Sequence, residues 1–299
     1  MVNTEKQLEL RHYRCVVAVA HSLHFTRAAA ELGISPPALS KQLQEAEGLL
    51  GTRLFLRSKR TVAITNAGAL FVAEARRALE QLAQAQEVAR RAGRGELGRL
   101  EIGYVGSAVY SGVLQRAFAR FRASHPGVSL QPREVAMELL PGMLEQGELD
   151  FAFVRPPLRY PEGIDSVVLL RDRFVLAVPE HSELADGSGM VAPQALAQLP
   201  LIVPEQEWGT LETARRGGFA PLVVSRPGSL LSVLAQVSLG AGCAIVPQAV
   251  LTGITLPGVR YRELAGAPIA SEIAVAFRRH EQNSAARAWI AQLRAAAVP

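Results

Sequence analysis

Residues 24–50 constrain this chain more than any other stretch, because they write two short helices joined by a sharp turn. Ala28, Ala29, Ala30 and Leu32 give the first helix small side chains that let a second helix approach closely. Gly33 is placed to end it, since glycine enters the left-handed conformation without a Cβ penalty. Ser35 can cap the next helix through its hydroxyl, and Pro36 occupies its first position, where a missing N–H costs nothing. In that second helix Leu39, Leu43, Ala46 and Leu50 recur at spacings of four, three and four, which predicts a buried stripe with Ser40, Lys41 and Gln44 on another face. Short polar side chains near a helix start suit entry into a DNA major groove. They equally suit an ordinary helical hairpin with one solvated side.

The following residues favour the first reading. Residues 51–57 and 61–65 read as two short strands joined by Ser58-Lys59-Arg60, a basic hairpin tip beside the second helix. Such a wing neutralises phosphates without reading bases. The helix pair, Leu54-Phe55-x-Arg57, Arg60 and Thr65-Asn-Ala-Gly68 together resemble the N-terminal winged helix of LysR-type transcriptional regulators, and the length and layout of the rest of the chain match that family to the end. The resemblance implies that Ser35, Pro36, Pro37, Ser40, Lys41 and Gln44 face the groove of double-stranded DNA, with Arg53, Arg57 and Arg60 on its backbone. Two positions depart from the family pattern. Pro36 stands where Gln is usual after the capping serine, and Ala46 stands before Glu47 where Leu is usual. The first removes a side chain that could read a base.

Charge is distributed accordingly. Residues 1–94 hold 14 Lys and Arg against 8 Asp and Glu, a net +6, whereas residues 95–299 hold 18 against 19, a net −1. A basic N-terminal part fits a DNA head, and a membrane-surface arm shares that charge. No stretch approaches the ~18 apolar residues of a spanning helix, and the N-terminus lacks the plan of a signal peptide, so a cytoplasmic protein without a membrane role is expected. Cys15 and Cys243 both sit in apolar runs and read as small buried hydrophobes. Some LysR-type relatives sense oxidants through a cysteine pair, but these two positions do not resemble one.

Thr65 can cap a long helix over residues 66–92, stopped by Gly93-Arg-Gly95. Its Phe71, Ala75, Ala78, Leu82, Ala85 and Ala89 alternate in steps of four and three, the spacing of a helix-pairing seam or of a face packed on the chain's own C-terminal part. The resemblance makes it the linker that pairs two subunits. It therefore implies a homodimer, assembling further into a homotetramer, on an interrupted inverted repeat, with RNA polymerase as a further partner.

Beyond Gly98 strands alternate with helices. Residues 99–105, 128–134, 150–154, 173–178, 200–203, 222–225, 243–246 and 272–277 read as strands, and 109–124, 138–146, 230–239 and 284–296 as helices, a βαβ succession with a largely parallel sheet. The expected fold is thus an all-α winged helix-turn-helix head with a long linker helix, followed by a two-lobed α/β regulatory domain resembling type 2 periplasmic substrate-binding proteins. The boundaries read as 1–65 for the head, 66–94 for the linker and 95–299 for the regulatory domain, with lobe I at 99–166 and 271–299 and lobe II at 167–270.

A cleft between such lobes is the expected small-molecule site. Ser107 follows a strand end, where its hydroxyl and the N–H groups of the next helix suit an anion or simply cap that helix. It matches the position where relatives hold an effector carboxylate, so the resemblance implies an organic acid. The loop of Ala136 and Met137 is more apolar than in relatives that place a hydroxyl residue there. Gln206 and Trp208, in Glu205-Gln206-Glu207-Trp208, and Arg226-Pro227 are expected to face the cleft from lobe II. Trp208 either stacks on a ring or stays a partly buried surface residue, and Arg155 pairs either with an acidic effector or with Glu162 or Asp165.

Catalysis finds no support. The chain has no Gly-x-Ser-x-Gly elbow and no Gly-x-x-x-x-Gly-Lys phosphate loop, and Ile245 stands where a dinucleotide fingerprint starting at Gly240 needs its third glycine. His21 and His24 lack nearby Cys or acid partners in the sequence, so neither a metal nor a cofactor is expected. The rival reading is a ligand-binding protein or enzyme whose helical N-terminal extension serves dimerisation alone.

Overall fold

In the computed structural model, which describes residues 7–57, 62–187 and 189–298, the chain divides into two units, Met1–Arg90 and Arg91–Pro299. In the first, α1 (Leu10–Ser22), α2 (Phe25–Glu31) and α3 (Pro36–Leu50) close on Cys15, Val16, Val19, Ala28, Leu39 and Leu43. The ends of these helices have local causes. Glu9 and His12 cap α1 reciprocally, with buried His12 accepting the Glu9 N–H on Nδ1 at 2.9 Å. Gly33 turns left-handed at φ 66°. Ser35 Oγ then accepts the Ala38 N–H at 3.3 Å, with Pro36 and Pro37 opening α3. Leu39, Leu43 and Ala46 are buried as their spacing predicts, but Leu50 is 37% exposed. It is the last helical residue, and Gly51 at φ 65° carries the chain off the core face there.

Among the described residues the first wing strand starts at Phe55, later than expected, and the second ends at Ile64. β1 (Phe55–Arg57) and β2 (Val62–Ile64) pair antiparallel, with Phe55 opposite Ile64. Residues 51–54 instead form a turn anchored by Glu47, whose Oε1 accepts the N–H groups of Leu54 at 2.8 Å and Phe55 at 3.1 Å. The predicted basic tip, Ser58-Lys59-Arg60, lies outside the described residues.

Thr65 caps α4 (Asn66–Gly93) by accepting the Gly68 N–H at 2.9 Å, and its hydroxyl donates to the Arg53 carbonyl at 2.8 Å. A Cβ on Gly68 would lie 2.1 Å from the Leu54 carbonyl oxygen, so Thr65-Asn-Ala-Gly68 is a close-packing device that seats the long helix on the wing. Phe71 stacks on Tyr13 at 5.5 Å, and Val72 and Ala75 are buried. From residue 80 to 94 every position is exposed, with Leu82 at 48%. The head thus covers the first part of the apolar seam and leaves Ala78, Leu82, Ala85 and Ala89 open.

The second unit runs β3 (Gly98–Tyr104), α5 (Gly106–Tyr110), α6 (Val113–Ser124), β4 (Val128–Glu134), α7 (Leu140–Glu145), β5 (Phe151–Val154) and β6 (Ile164–Pro179). It continues with β7 (Pro200–Ile202), α8 (Trp208–Gly217), β8 (Leu222–Ser225), α9 (Leu230–Ser238), β9 (Ala244–Pro247), α10 (Val250–Gly253), β10 (Val259–Arg262), β11 (Ala270–Arg278) and α11 (Ser284–Ala295). The single helix expected over 109–124 is two, because Gly112 takes φ 71° between them.

The main sheet has the order β10-β6-β11-β5-β3-β4, with β9 also on β6. Only β4, β3 and β5 run parallel, which corrects the expectation of a largely parallel sheet. The antiparallel part arises because β6 and β11 cross between lobes in opposite directions. Up to Arg173, β6 pairs with β11; from Phe174 it pairs with β9 and, from Leu176, with β10. The expected lobe boundary at residue 167 therefore falls inside one sixteen-residue strand. In the first lobe Trp289 of α11 is buried against the sheet and stacks on Phe121 at 5.0 Å. In the second, alternate residues of β6 enter two cores, Phe174, Leu176 and Val178 in one, Val175 and Ala177 with α9 in the other.

Candidate functional site

The exposed face of α3 comes from adjacent turns. Pro37, Lys41 and Gln44 fall at steps of four and three on one side, with Pro36 and Ser40 beside them. Ser35, Pro36, Pro37, Lys41 and Gln44 are exposed and Ser40 is half-buried, while the opposite face supplies the core. Lys41 reaches Glu45 at only 3.9 Å on the surface, so its charge is free to meet another partner. Arg53 is exposed at the wing base, and Arg57 closes β1 opposite Val62. Arg60 lies outside the described residues. Gln42, beside this face, accepts a hydrogen bond from Cys15 Sγ at 2.8 Å, and burial raises the pKa of that thiol. Burial likewise pushes Cys243 up to about 11, so both cysteines behave as inert core residues.

In the second unit a chamber of about 50 Å³ lies between the lobes, walled by Ser107, Glu134, Met137, Arg155, Glu205 and Gln206 among others. A vestibule of about 340 Å³ adjoins it, with Ala136, Glu134, Glu138 and Glu205 in its wall. The lobes touch around this space. Glu205 Oε1 accepts the Met137 N–H at 2.5 Å, and Gln206 Nε2 donates to the carbonyl of Pro156 at 3.0 Å. Burial raises the Glu205 pKa, the Met137 N–H opposes that, and neighbouring Glu138 and Glu134 add to it.

Arg155 is a buried cation in the wall of the chamber. It directly follows β5 and is 2% exposed. Its Nε donates to Ser107 Oγ at 3.3 Å and its Nη1 to Ser271 Oγ. Nη2 is buried and has no acceptor. Burial lowers its pKa to about 10 against the pull of Asp172, which leaves it cationic near neutrality.

Several predicted positions are corrected here. Neither Glu162 nor Asp165 pairs with Arg155. Asp165 sits opposite Phe277, which pairs with Phe151 at the far end of β5, and it binds Arg279 at 3.0 Å and Arg294 at 3.4 Å. Ser107 belongs to a helix of five residues, so its hydroxyl and Arg155 supply the polarity expected of a helix terminus. Trp208 is 39% exposed and walls neither space, because the chain has already begun α8 by that residue. Arg226 pairs with Glu207, and Pro227 yields its expected place in the wall to Gly228 and Ser229. His21 Nδ1 does have an acid neighbour, Glu31 at 4.0 Å, yet no three metal-binding side chains cluster among the described residues. No helix of the described residues is long and apolar enough to cross a membrane. Glu47, Glu134 and Ser271 were missed. Only Glu47 had a nearby signal, its place between the helix and wing motifs.

Comparison with known proteins gives the same division. A family model described as "Bacterial regulatory helix-turn-helix protein, lysR family" matches residues 10–69, and one described as "LysR substrate binding domain" matches residues 93–298. The uncharacterized HTH-type transcriptional regulator YnfL of Escherichia coli K12 is 34% identical over 292 residues, covering 94% of this chain and 96% of that protein. The HTH-type transcriptional regulator AlsR of Bacillus subtilis 168 is 31% identical, covering 92% of each. Full-length CbnR complexed with its target DNA matches with a TM-score of 0.81 at 26% identity, over 97% of this chain and 100% of that one.

Proposed function

The chain belongs to the LysR family of transcriptional regulators, a DNA-binding head with an effector-binding domain rather than an enzyme, and from that premise we propose a finer reading of its sites. The head, residues 1–65, reads the major groove with Ser35, Pro36, Pro37, Ser40, Lys41 and Gln44, while Arg53, Arg57 and Arg60 neutralise phosphates. Two copies pair along the open part of the 66–94 helix, so the operator is an interrupted inverted repeat. Tetramers of two such dimers meet RNA polymerase in the cytoplasm. The domain over 95–299 holds an organic acid in the chamber, its carboxylate on Arg155 and Ser107, and the ligand alters how the head engages DNA.

The observation that carries the effector reading is the unpartnered, buried Nη2 of Arg155. A buried guanidinium donor left without an acceptor is costly, and a carboxylate is the acceptor its geometry matches. The test is a thermal-unfolding series with a panel of small carboxylic acids. A ligand at about 100 times its Kd contributes about 2.7 kcal/mol, a shift of several degrees. Ser107→Phe, which fills the chamber, is expected to erase that shift, with circular dichroism reporting an unchanged fold. An undiminished shift in Ser107→Phe would move the effector elsewhere.

A further inference from the structure

We propose that the effector is an amino acid, recognised through a protonated amine as well as a carboxylate; this rests on the chamber being the effector site and adds the second group. Two buried atoms point to it. Gln206 Nε2 donates to the backbone carbonyls of Arg155 at 3.2 Å and Pro156 at 3.0 Å. Both of these partners are acceptors, so only the amide nitrogen can face them, and the orientation of the side chain is settled. Its Oε1 is then a buried acceptor that receives no donor. Arg155 Nη2 is the opposite case, a buried donor without an acceptor. Both side chains wall the same chamber. A simple carboxylate satisfies Arg155 but offers Gln206 nothing, because an ionised carboxylate has no hydrogen to donate. An ammonium group supplies what Gln206 lacks.

The charges agree with this pairing. Among the described residues Arg155 is the one cation in the chamber wall, against the carboxylates of Glu134 and Glu205, with Glu138 beside them in the vestibule. Glu134 lies close inside, since a Cβ on Gly106 would meet its Oε1 at 2.9 Å. A plain acid would add negative charge to a site that already holds more carboxylates than cations, and like charges at short range repel strongly when partly desolvated. A zwitterion adds no net charge and sets its amine among the carboxylates. Size narrows the class further. About 50 Å³ accommodates a few water-sized groups, given that about 10–15 Å³ suffices for one water, which suits a carboxylate, an amine and the carbon between them. The vestibule of about 340 Å³ leaves room for the rest of the side chain.

The experiment uses the full-length protein with the proteinogenic L-amino acids and, beside them, carboxylates of matched size without the amine, such as propionate for alanine and succinate for aspartate. Melting temperature screens the panel and calorimetry gives Kd. At least one amino acid is expected to bind about tenfold or more tightly than its amine-free counterpart, the increment of one charged hydrogen bond. Glu205→Gln keeps an acceptor for the Met137 N–H while removing the charge, and is expected to shrink that ratio without abolishing carboxylate binding. Equal or tighter binding of the amine-free acids overturns the amino-acid proposal and leaves the chamber as the effector site. Silence from both sets, or shifts that persist in Ser107→Phe, overturns both.

Discussion

In the head, the groups proposed to meet DNA come from consecutive turns of one helix, between Ser35 and Gln44, and nearly all are exposed. In the chamber, Ser107, Gln206 and Ser271 reach Arg155 across 48, 51 and 116 positions of sequence, and Arg155 is buried. The difference is energetic as well as topological. The head's polar groups are open to solvent, so none of them is a buried group without a partner. In the chamber Arg155 Nη2 and Gln206 Oε1 are buried and have no protein partner, and a buried polar group left unpaired costs about 1–3 kcal/mol. The head's polar groups are thus open to solvent before binding, whereas the chamber holds two buried groups that a ligand can pair. Both ligands should stabilise the chain through their own affinity, and for the effector the pairing of those two groups is part of that affinity.

The largest expected effect tests whether the first region is complete in one copy. Leu82 is half-exposed on the open part of α4. Leu82→Asp is expected to give monomers in sedimentation, with operator affinity reduced about 100-fold or more through the loss of bivalency. A dimer that survives this substitution would show that the head's exposed seam is an ordinary surface, and that the contrast between open and buried sites extends no further than α3.

Arg155→Met attacks the second region. It is expected to abolish the ligand-induced melting shift while changing the stability of the ligand-free protein by no more than about 1 kcal/mol, because an incompletely paired buried charge contributes little to folding. Destabilisation of about 3–5 kcal/mol would instead mean that Arg155 holds the lobes together, and that the chamber's polarity is structural.

Two substitutions in the head should separate reading from anchoring. Gln44→Ala is expected to lower discrimination between operator and random DNA by about 1–3 kcal/mol, since it removes the contact to a base edge proposed for Gln44. Arg53→Ala is expected to weaken both equally and to reduce the salt slope by about 1, as the loss of one phosphate contact does. Equal loss of discrimination in both would erase the distinction between the face of α3 and the wing base. Titration of fluorescent duplexes at several salt concentrations reads both quantities.

What the sequence revealed follows the same contrast. Gly33, Ser35 and Pro36 mark their turn correctly because each acts on atoms within three positions of itself. Thr65 is legible for the same reason, whereas Gly68 enters only through the family resemblance, and the contact that makes it necessary, with the Leu54 carbonyl, is not local. β6 was seen only over its second half. Its stretch up to Arg173 is only partly buried, and the continuous apolar run begins at Phe174, where both faces of the strand are covered. The partners of Arg155 were beyond reach. Nearby acids such as Asp165 are plausible along the chain, but the register places Asp165 at the opposite end of β5, and nothing around Ser271 announces that β11 will deliver it there. Ser107 and Gln206 were found from their positions after strand ends, and Trp208 was misplaced by the same rule because α8 starts at once.

The smallest effect tests the contrast at a single shared motif. Ser35 and Ser229 are both helix caps, Ser35 accepting the Ala38 N–H at 3.3 Å and Ser229 the Ser232 N–H at 3.2 Å. Replacing such a cap with alanine costs about 1 kcal/mol and with glycine only a few tenths, because glycine leaves the N–H open to water. Glycine is therefore the informative substitution, since it removes the hydroxyl while nearly preserving stability. Ser35→Gly is expected to melt within a degree or two of wild type yet, on the proposed reading in which the hydroxyl also faces DNA, to bind operator several-fold more weakly. Ser229→Gly, at the chamber wall, is expected to leave operator binding as it was and to alter ligand affinity alone. If Ser35→Gly binds operator as wild type does, the serine is a cap and nothing more. Exposure at the start of α3 would then not imply contact, and the reading face would begin at Pro37 and Lys41.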